Sequence, residues 1–205
     1  MTVEHGGHRE FFEARYRDAQ RRADTIPWAN LEPSRFVVER AGPMVSGGRD
    51  AVVVGCGLGD DAEYVASLGW AVTAFDVSPS AIEWCRERFD QSAVEYVVAD
   101  LFDPDPEWPG SFSLVVEVAT IQSLAPEHRR RTIAAIAALV APEGTLLVSA
   151  LGRVRGNHGA GPPWPVKRDE LRWFESCGLD ELRFECEPSP WEGFERFNVE
   201  YMRNG

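Results

Sequence analysis

The sequence predicts an α/β fold with a doubly wound, mostly parallel β-sheet in a single domain, and three observations lead to this prediction. Short apolar runs that suit buried strands alternate with amphipathic helical segments, with about 20 to 25 residues in each strand–helix unit. A glycine-rich turn follows the first of these apolar runs. The length of 205 residues and the hydrophobic content of 44% are typical of one folded globular domain.

Two helices are predicted before the first strand. Residues 8–22 place apolar side chains at helical spacing, and Pro33 can open a second helix. Neither helix is expected to take part in the sheet. We therefore expect residues 1–48 to form an N-terminal helical lid and residues 49–205 to form a Rossmann-like core, both within one domain of residues 1–205.

Seven strands and four further helices follow in alternation. The short connection between the last two strands predicts an antiparallel hairpin, so the last strand runs against a sheet with helices on both faces. A segment rich in Gly and Pro, 152–165, is expected to be a long loop. The predicted strands are 51–54, 71–75, 94–98, 113–118, 145–150, 181–187 and 194–202, and the helices are 60–68, 78–89, 126–140 and 168–177.

The charge and cysteine content exclude several classes of protein. Lys and Arg number 21 and Asp and Glu number 33, so the net charge of −12 disfavours a nucleic-acid partner or an anionic membrane. The first 25 residues offer no apolar signal-peptide region, and four cysteines without a C-x-x-C pair predict no metal site. We expect a cytoplasmic protein, a monomer or weak homodimer, that acts on a small molecule.

A glycine turn and an acidic residue together predict a nucleotide-type site. The strand 51–54 runs into Gly55-Cys56-Gly57-Leu58-Gly59, where Gly55 and Gly57 allow a tight turn and close approach of a ligand. Asp76 stands at the end of the next strand, where a ribose-binding carboxylate belongs in such folds. A tight strand–helix turn with a solvent-exposed Asp is the plainer alternative.

The residues after the glycine turn indicate which nucleotide is bound. A dinucleotide fold needs G-x-G-x-x-G, but here the third glycine comes one residue early and Asp60 takes its place, followed by Asp61. Two carboxylates would repel a pyrophosphate and suit a cation without phosphate, such as S-adenosylmethionine. They also compensate the helix dipole, which is compatible with that role. Asp100, which closes strand 94–98, could accept a hydrogen bond from an adenine amino group or simply cap the strand.

The segments VVVGCGLG, TAFDVSPSAIEWC, VVADLF, FSLVVEVATIQSL and PEGTLLVSA resemble the class I S-adenosylmethionine-dependent methyltransferases over residues 30–202. The resemblance implies S-adenosyl-L-methionine as cofactor and S-adenosyl-L-homocysteine as product. It also implies that the glycine turn lies along the methionyl part of the cofactor. Asp76 would then bind the ribose hydroxyls, and Asp100 would face the adenine. Val54 departs from the family, which often has an acidic residue there. The predicted cofactor-binding residues are Trp28, Gly55, Cys56, Gly57, Asp60, Asp76, Val77, Ser78, Asp100, Leu101, Glu117 and Val118.

A narrower resemblance concerns the N-terminal helix, the Pro27-Trp28 pair and the segments EVATIQSL and PPWPVKRDEL. These are similar to small thiopurine- and thiol-methyltransferase-like enzymes. The resemblance implies an N-terminal segment that folds over the cofactor as a lid, with Trp28 near the sulfonium or the substrate.

The acceptor is the least determined part of the sequence-based prediction. A thiol ionises readily and needs little help from a base, and no His–carboxylate pair is evident at a strand end. His128, in a charged helix start, is expected at the surface. We therefore predict S-methylation of a thiol or dithiol. Glu117 is the candidate residue for catalysis or for the cofactor's ammonium group, and a carboxylate hydrogen-bonded to the backbone at the strand end is the alternative for it. O- or N-methylation and a non-catalytic cofactor-binding module are the alternatives, and a nicotinamide dehydrogenase is disfavoured. The predicted substrate residues are Tyr16, Thr120, Gln122 and Trp164.

Overall fold

A computed structural model of the chain describes residues 6–153, 161–189 and 193–205. In these ranges seven strands form one sheet in the order β3-β2-β1-β4-β5-β7-β6. Strands β1 to β5 are parallel to one another, and β7 is antiparallel to both β5 and β6. The predicted fold is therefore confirmed. The strands are β1 (Asp50–Val54), β2 (Ala71–Asp76), β3 (Glu95–Val98), β4 (Phe112–Val118), β5 (Val140–Arg153), β6 (Leu179–Pro188) and β7 (Phe194–Arg203).

Six α-helices and four short 3-10 helices accompany the sheet in the described ranges. The helices are α1 (Gly6–Asp18), α2 (Arg35–Ala41), α3 (Asp60–Ser67), α4 (Pro79–Arg88), α5 (Arg129–Leu139) and α6 (Arg168–Leu171). The 3-10 helices are Ala23–Thr25, Ile121–Ser123, Pro126–His128 and Arg172–Cys177. None of the helices in these ranges has both the length and the apolar character that a bilayer span requires.

The structure changes three of the predicted boundaries. The predicted helix 126–140 begins with a 3-10 turn, and most of the predicted helix 168–177 is 3-10 helix rather than α-helix. Strand β5 is longer than predicted, because Val140 already pairs with Phe112 across a register shift in β4. The predicted loop begins inside β5, and its residues 154–160 lie outside the described part of the chain.

The strands that cross the centre of the sheet are buried on both faces. Val52 and Val115 pack in one hydrophobic cluster, with side chains of α5, whereas Val53 and Val116 pack in a second cluster with side chains of α2, α3 and α4. All four are at most 2% exposed. Burial on both faces explains why these strands appear in the sequence as continuous apolar runs rather than as alternating patterns.

The N-terminal segment packs on the core beside α4. Tyr16 and Ile26 share a buried cluster with Leu58, Ala81 and Trp84. This cluster joins the segment around α1 to the glycine turn and to α4. Removing the segment would expose the apolar side chains of the core that it covers.

Polar contacts fix the same segment to the N-terminal turn of α4. The Glu13 carboxylate accepts hydrogen bonds from the Ser78 hydroxyl at 2.7 Å, the Ser80 hydroxyl at 2.7 Å and the Ser80 backbone N–H at 3.1 Å. The last of these satisfies a helix N–H that has no partner within α4. Farther along, the Arg21 guanidinium forms two hydrogen bonds with Glu87, at 2.5 and 2.7 Å.

Replacement of Glu13 should loosen α1 without unfolding the sheet. Burial raises the pKa of Glu13, but the hydrogen bonds from Ser80 and Ser78 outweigh it and leave the pKa below its ordinary value. The carboxylate therefore holds α1 at neutral pH, and this contribution is lost as the pH falls through the lowered pKa. We expect Glu13→Ala to cost about 1–2 kcal/mol of local stability, comparable to loss of a helix cap.

Hydrogen exchange at pH 7 would test this expectation. Amides of α1 in Glu13→Ala should exchange about 5 to 30 times faster than in the wild type, given that range of free energy. Glu10→Ala is the matched control, because Glu10 is an exposed carboxylate on the same helix. Equal exchange in the two variants would contradict an anchoring role for Glu13.

Candidate active site

A cavity of about 270 Å³ lies at the carboxyl ends of the parallel strands. Its wall includes residues that end or follow β1, β2, β3 and β4, and side chains of α1 close it from above. The order of strands reverses between β1 and β4, and ligands of doubly wound folds bind in the crevice at this switch point. The cavity is therefore the candidate site.

The glycine turn after β1 forms one wall, and its three glycines, Gly55, Gly57 and Gly59, all have positive φ angles. Gly55 and Gly57 have φ angles of +58° and +55°, a region that other residues rarely adopt. A Cβ atom at Gly55 would lie 2.3 Å from Oγ1 of Thr120, which donates a hydrogen bond to the Val54 carbonyl at 3.0 Å. A Cβ atom at Gly57 would lie 3.1 Å from the Tyr16 hydroxyl. Without side chains at these positions, a ligand can approach the backbone of this turn closely.

Asp76 lies at the end of β2 and is fixed by the backbone around it. Its carboxylate accepts hydrogen bonds from the backbone N–H of Gly57 at 3.1 Å and of Ser78 at 2.9 Å. The residue is 7% exposed and lines the cavity beside Val77. Burial raises its pKa to about 6, although the N–H hydrogen bonds act in the opposite direction. Asp76 is consequently a rigid, partly desolvated acceptor that faces the cavity.

The residues after β3 continue the wall. Asp100, Leu101 and Phe102 all line the cavity. One oxygen of Asp100 accepts a hydrogen bond from the Phe102 backbone N–H at 2.8 Å. Asp100 therefore orders its own turn and also contributes to the cavity wall, so the two alternatives considered for it are compatible.

The roof of the cavity is aromatic. Trp28 donates a hydrogen bond from its indole Nε1 to the Tyr16 hydroxyl at 2.8 Å, and its ring lies 5.7 Å from that of Phe12, edge to face. Tyr16 is 3% exposed, and burial together with the nearby Asp76 charge raises its pKa well above the ordinary value. Tyr16 is thus a neutral phenol over the glycine turn. All three aromatic residues line the cavity.

The opposite wall comes from the segment after β4. Val118, Thr120 and Gln122 line the cavity, and the Gln122 side-chain oxygen accepts a hydrogen bond from the Leu151 backbone N–H. Trp164 stands behind this wall rather than on it. Its backbone N–H donates to the Gln122 carbonyl at 2.6 Å, and its side chain is not among those that line the cavity.

Arg129, which the sequence did not single out, holds this wall in place. Its side chain is 1% exposed, and its guanidinium donates to the carbonyl oxygens of Ile121 and Trp164. A buried cation that is hydrogen-bonded to two loops fixes both with respect to α5. The wall around Gln122 is therefore a rigid surface rather than an independent loop.

Glu117 does not line the cavity, which corrects its predicted place in the site. It is 0% exposed, and its Oε1 accepts hydrogen bonds from the backbone N–H groups of Thr120 at 2.6 Å and Ile121 at 2.9 Å. Burial raises its pKa to about 7, against the effect of these hydrogen bonds and of the Arg129 and Arg196 charges. Glu117 thus shapes the turn that carries Thr120 and acts on the site only through it.

Three other predicted cofactor residues also lie outside the cavity lining. Asp60 forms an ion pair with Arg88 at 2.7 Å, so its charge is neutralised within the protein rather than by a ligand. Ser78 is fully buried at the N-cap of α4, where it accepts a hydrogen bond from the Ala81 N–H at 3.1 Å, and it supports Asp76 from behind. Cys56 packs against the second cluster, and its hydrogen bond with Cys85 and its burial raise the pKa of its thiol.

The cavity residues that the sequence-based predictions did not assign to the site include His8, His128 and Arg196, and His128, which was expected at the surface, lies on the cavity wall. The rings of His8 and His128 are 5.7 Å apart, edge to face, and the ring of His8 is 6.1 Å from that of Trp164. His8 precedes Phe12 by one helical turn, so the helical spacing of α1 could have placed it on the cavity face. No sequence pattern indicates that a 3-10 turn would bring His128 to the same place. Among the described residues, no cluster of His, Cys, Asp and Glu is arranged to hold a metal ion.

Comparison with known proteins agrees with this geometry. Residues 51–144 match the sequence model of a family described as a methyltransferase domain. The ubiquinone biosynthesis O-methyltransferase of Xanthomonas campestris pv. campestris (strain B100) is 35% identical over 129 residues, which are 62% of this chain and 53% of that protein. The chain therefore spans about half the length of the curated relatives it matches.

Solved structures share the fold of this chain over nearly its whole length. One concerns the conversion of a disulfide bond into a thioacetal group during echinomycin biosynthesis; its TM-score is 0.73 at 22% identity, with 95% of this chain and 91% of that chain covered. Another is the Burkholderia thailandensis 1,6-didemethyltoxoflavin-N1-methyltransferase, with bound 1,6-didemethyltoxoflavin and S-adenosylhomocysteine. Its TM-score is 0.70 at 20% identity, with 100% and 92% covered.

The placement of Asp76 leads to a prediction for ligand affinity. We expect Asp76→Asn to weaken binding of S-adenosylhomocysteine about 10- to 100-fold, because a charge-assisted hydrogen-bond acceptor is lost. In the wild type the affinity should also fall as the pH drops below about 6, where Asp76 becomes protonated. Calorimetric titration between pH 5 and 8 measures both effects. The exposed Asp90→Asn is the control; an affinity that is unchanged in Asp76→Asn would contradict the role of Asp76.

The burial of Glu117 leads to a prediction for stability. Its folded-state pKa is raised from 4.5 to about 7, so the folded protein binds the proton more tightly than the unfolded chain. The free energy of unfolding should therefore fall by about 3 kcal/mol between pH 4.5 and 7 through this group alone. Glu117→Gln keeps an acceptor for both N–H groups but cannot titrate, and it should lose this component.

Urea unfolding at pH 5 and pH 8 would measure that component as a difference between the wild type and Glu117→Gln. Glu10→Gln, at an exposed position, serves as the control and should follow the wild type. An equal loss of stability between the two pH values in Glu117→Gln and in the wild type would contradict the raised pKa of Glu117.

Proposed function

We propose that this chain is an S-adenosyl-L-methionine-dependent methyltransferase of a small molecule, with S-adenosyl-L-homocysteine as the product. The observation that carries the proposal is the buried Asp76 carboxylate, which is tied to the Gly57 N–H on the wall of a switch-point cavity. The match of residues 51–144 to the model of a methyltransferase domain supports it independently. When bound, the cofactor supplies a methyl group already activated by its sulfonium.

The residues of the cavity fit this cofactor. The space beside the backbone of Gly55 and Gly57, which a Cβ atom would fill, suits the methionyl part of the cofactor. Asp76 can accept hydrogen bonds from both ribose hydroxyls. Asp100 and the apolar Leu101 suit the adenine. Val77, Val118 and Trp28 complete the same half of the cavity, whereas Cys56, Asp60, Ser78 and Glu117 support it from outside.

The structure alters the argument about the acceptor. A thiol was predicted because the sequence offered no base, but His8 and His128 both line the cavity. A hydroxyl needs such a base, since it is scarcely ionised at neutral pH. We therefore favour O-methylation, with His128 or His8 taking the proton of the acceptor hydroxyl. The curated relatives, which include the ubiquinone biosynthesis O-methyltransferases, are compatible with this choice.

The thiol or dithiol acceptor is the second candidate. Its support is the apolar character of the wall that Leu124, Leu151, Pro162 and Pro163 form, which suits a soft nucleophile. For either acceptor, the chain holds the nucleophile near the methyl group and excludes water, and these two effects supply most of the catalysis. Tyr16, Thr120 and Gln122 are placed to contact the acceptor, and Trp164 supports that wall through Gln122.

Histidine variants distinguish the two acceptors. We expect the double variant His8→Gln/His128→Gln to lower turnover of a phenol about 10²- to 10⁴-fold, the usual contribution of a general base. Turnover of a matched thiol should fall much less, because the thiol is partly ionised without a base. Mass spectrometry would follow the gain of one methyl group across matched phenols, thiols and amines.

Binding of S-adenosylhomocysteine is the control in that experiment and should be the same in the variant and the wild type. Methylation of thiols alone, with no effect of the histidine changes, would contradict O-methylation and favour the second candidate. Binding of S-adenosylhomocysteine without transfer to any acceptor would instead indicate a non-catalytic cofactor-binding module.

A further inference from the structure

Arg196 is a charged residue on the cavity wall to which the proposed reaction gives no role. It lies on β7 opposite Leu151 of β5, and both residues line the cavity. Its Nη1 donates a single long hydrogen bond, 3.4 Å, to the Ser149 hydroxyl. Among residues 6–153, 161–189 and 193–205, no carboxylate forms an ion pair with it within 4.0 Å. A guanidinium has five N–H donors, so most of its hydrogen-bonding capacity remains for a ligand.

The charges of the cavity are divided between its two ends. The carboxylates Asp76 and Asp100 follow β2 and β3, on one side of the switch point. Arg196 belongs to β7, on the other side. In a protein with a net charge of −12, a cationic end of one cavity is a local feature rather than a reflection of composition. It favours a ligand that carries negative charge at that end.

The cofactor itself is not a suitable partner for Arg196. Three strand spacings separate β7 from β1, which is about 14 Å across the sheet. The glycine turn that suits the methionyl carboxylate follows β1. Arg9, the other arginine on the cavity wall, also lines the adjoining pocket beside Asp103 and Trp108, on the β3 side. Arg196 is therefore the arginine at the acceptor end.

The surroundings of Arg196 indicate the chemical class of its partner. Leu124, Leu151, Pro162 and Pro163 form an apolar wall at this end, which suits a flat hydrocarbon body. The planar guanidinium fits a planar carboxylate through two parallel hydrogen bonds, and such a pair gains strength where water is excluded. We propose that Arg196 binds a carboxylate of the methyl acceptor, which is an arene carboxylate with its nucleophilic group on the ring.

This inference rests on the proposed function, because it assigns an acceptor to the same cavity. Arg196 is then a specificity-determining residue, and its role lies in binding the acceptor rather than in proton transfer. The consequence is a preference for an acid over its neutral amide that depends on one side chain.

The test uses the full chain saturated with S-adenosylhomocysteine and measures acceptor binding by calorimetry, so that it does not depend on turnover. The probes are 4-hydroxybenzoate and 3,4-dihydroxybenzoate, each with its neutral amide, and 4-mercaptobenzoate with its amide. We expect at least one acid to bind the wild type about 10- to 100-fold more tightly than its amide, as for a charge-assisted pair.

Variants assign the preference to the guanidinium. Arg196→Gln should abolish the preference for the acid and leave the affinity for the amide unchanged, whereas Arg196→Lys should retain part of the preference. Arg35→Gln, which removes an exposed arginine of α2 that is paired with Glu39, is the control for net charge and should behave as the wild type.

The outcomes separate the two proposals. If S-adenosylhomocysteine does not bind, the proposed function fails and the assignment of Arg196 fails with it. If it binds but no acid is preferred over its amide, or the preference persists in Arg196→Gln, only the assignment of Arg196 is overturned.

Discussion

The carboxylate of Asp76 is the constraint on which the site depends. It accepts N–H groups from the glycine turn and from the start of α4, so the ends of β1 and β2 and the beginning of that helix meet at one side chain. Its burial raises its pKa, which means that the folded protein keeps this charge at a cost. A buried carboxylate with a perturbed pKa on a cavity wall is typical of a functional position, because a purely structural acceptor could be neutral.

The aromatic roof of the cavity is held in place by residues next to Asp76. Ser78 donates its backbone N–H to Asp76 and its hydroxyl to Glu13, so this residue links α1 to Asp76. Tyr16 then lies over Gly57, and Trp28 is held by the Tyr16 hydroxyl. The N-terminal segment is therefore part of the cavity and also part of the hydrophobic packing around α4.

Local sequence patterns predicted the sheet and led to the residues proposed for the cofactor, because each of these features depends on residues close together in the chain. The apolar run 51–54, the glycine turn and Asp76 lie within one strand–helix–strand unit. Asp60 was misplaced because its partner Arg88 belongs to another helix, and the sequence does not show that they meet.

The acceptor half was not predictable in the same way, because its residues come from distant segments. His8 and His128 meet only when α1 folds over the turn that precedes α5. Arg196 reaches the wall through the register between β5 and β7, and a shift of one residue would turn it to the other face. The sequence-based argument found no candidate base because no local pattern shows that His8 and His128 come together on the cavity wall.

The division of the cavity also follows the order of the chain. The segment that matches the methyltransferase domain ends at residue 144 and contains the glycine turn, Asp76 and Asp100. Leu151, Pro162 and Arg196 lie beyond it, on strands and loops that close the sheet at the other end. Substitutions there can change the proposed acceptor end of the cavity without disturbing the residues proposed to hold the methyl donor. The two ends are encoded in separate stretches of the chain, so the proposed specificity can be altered independently of the proposed cofactor site.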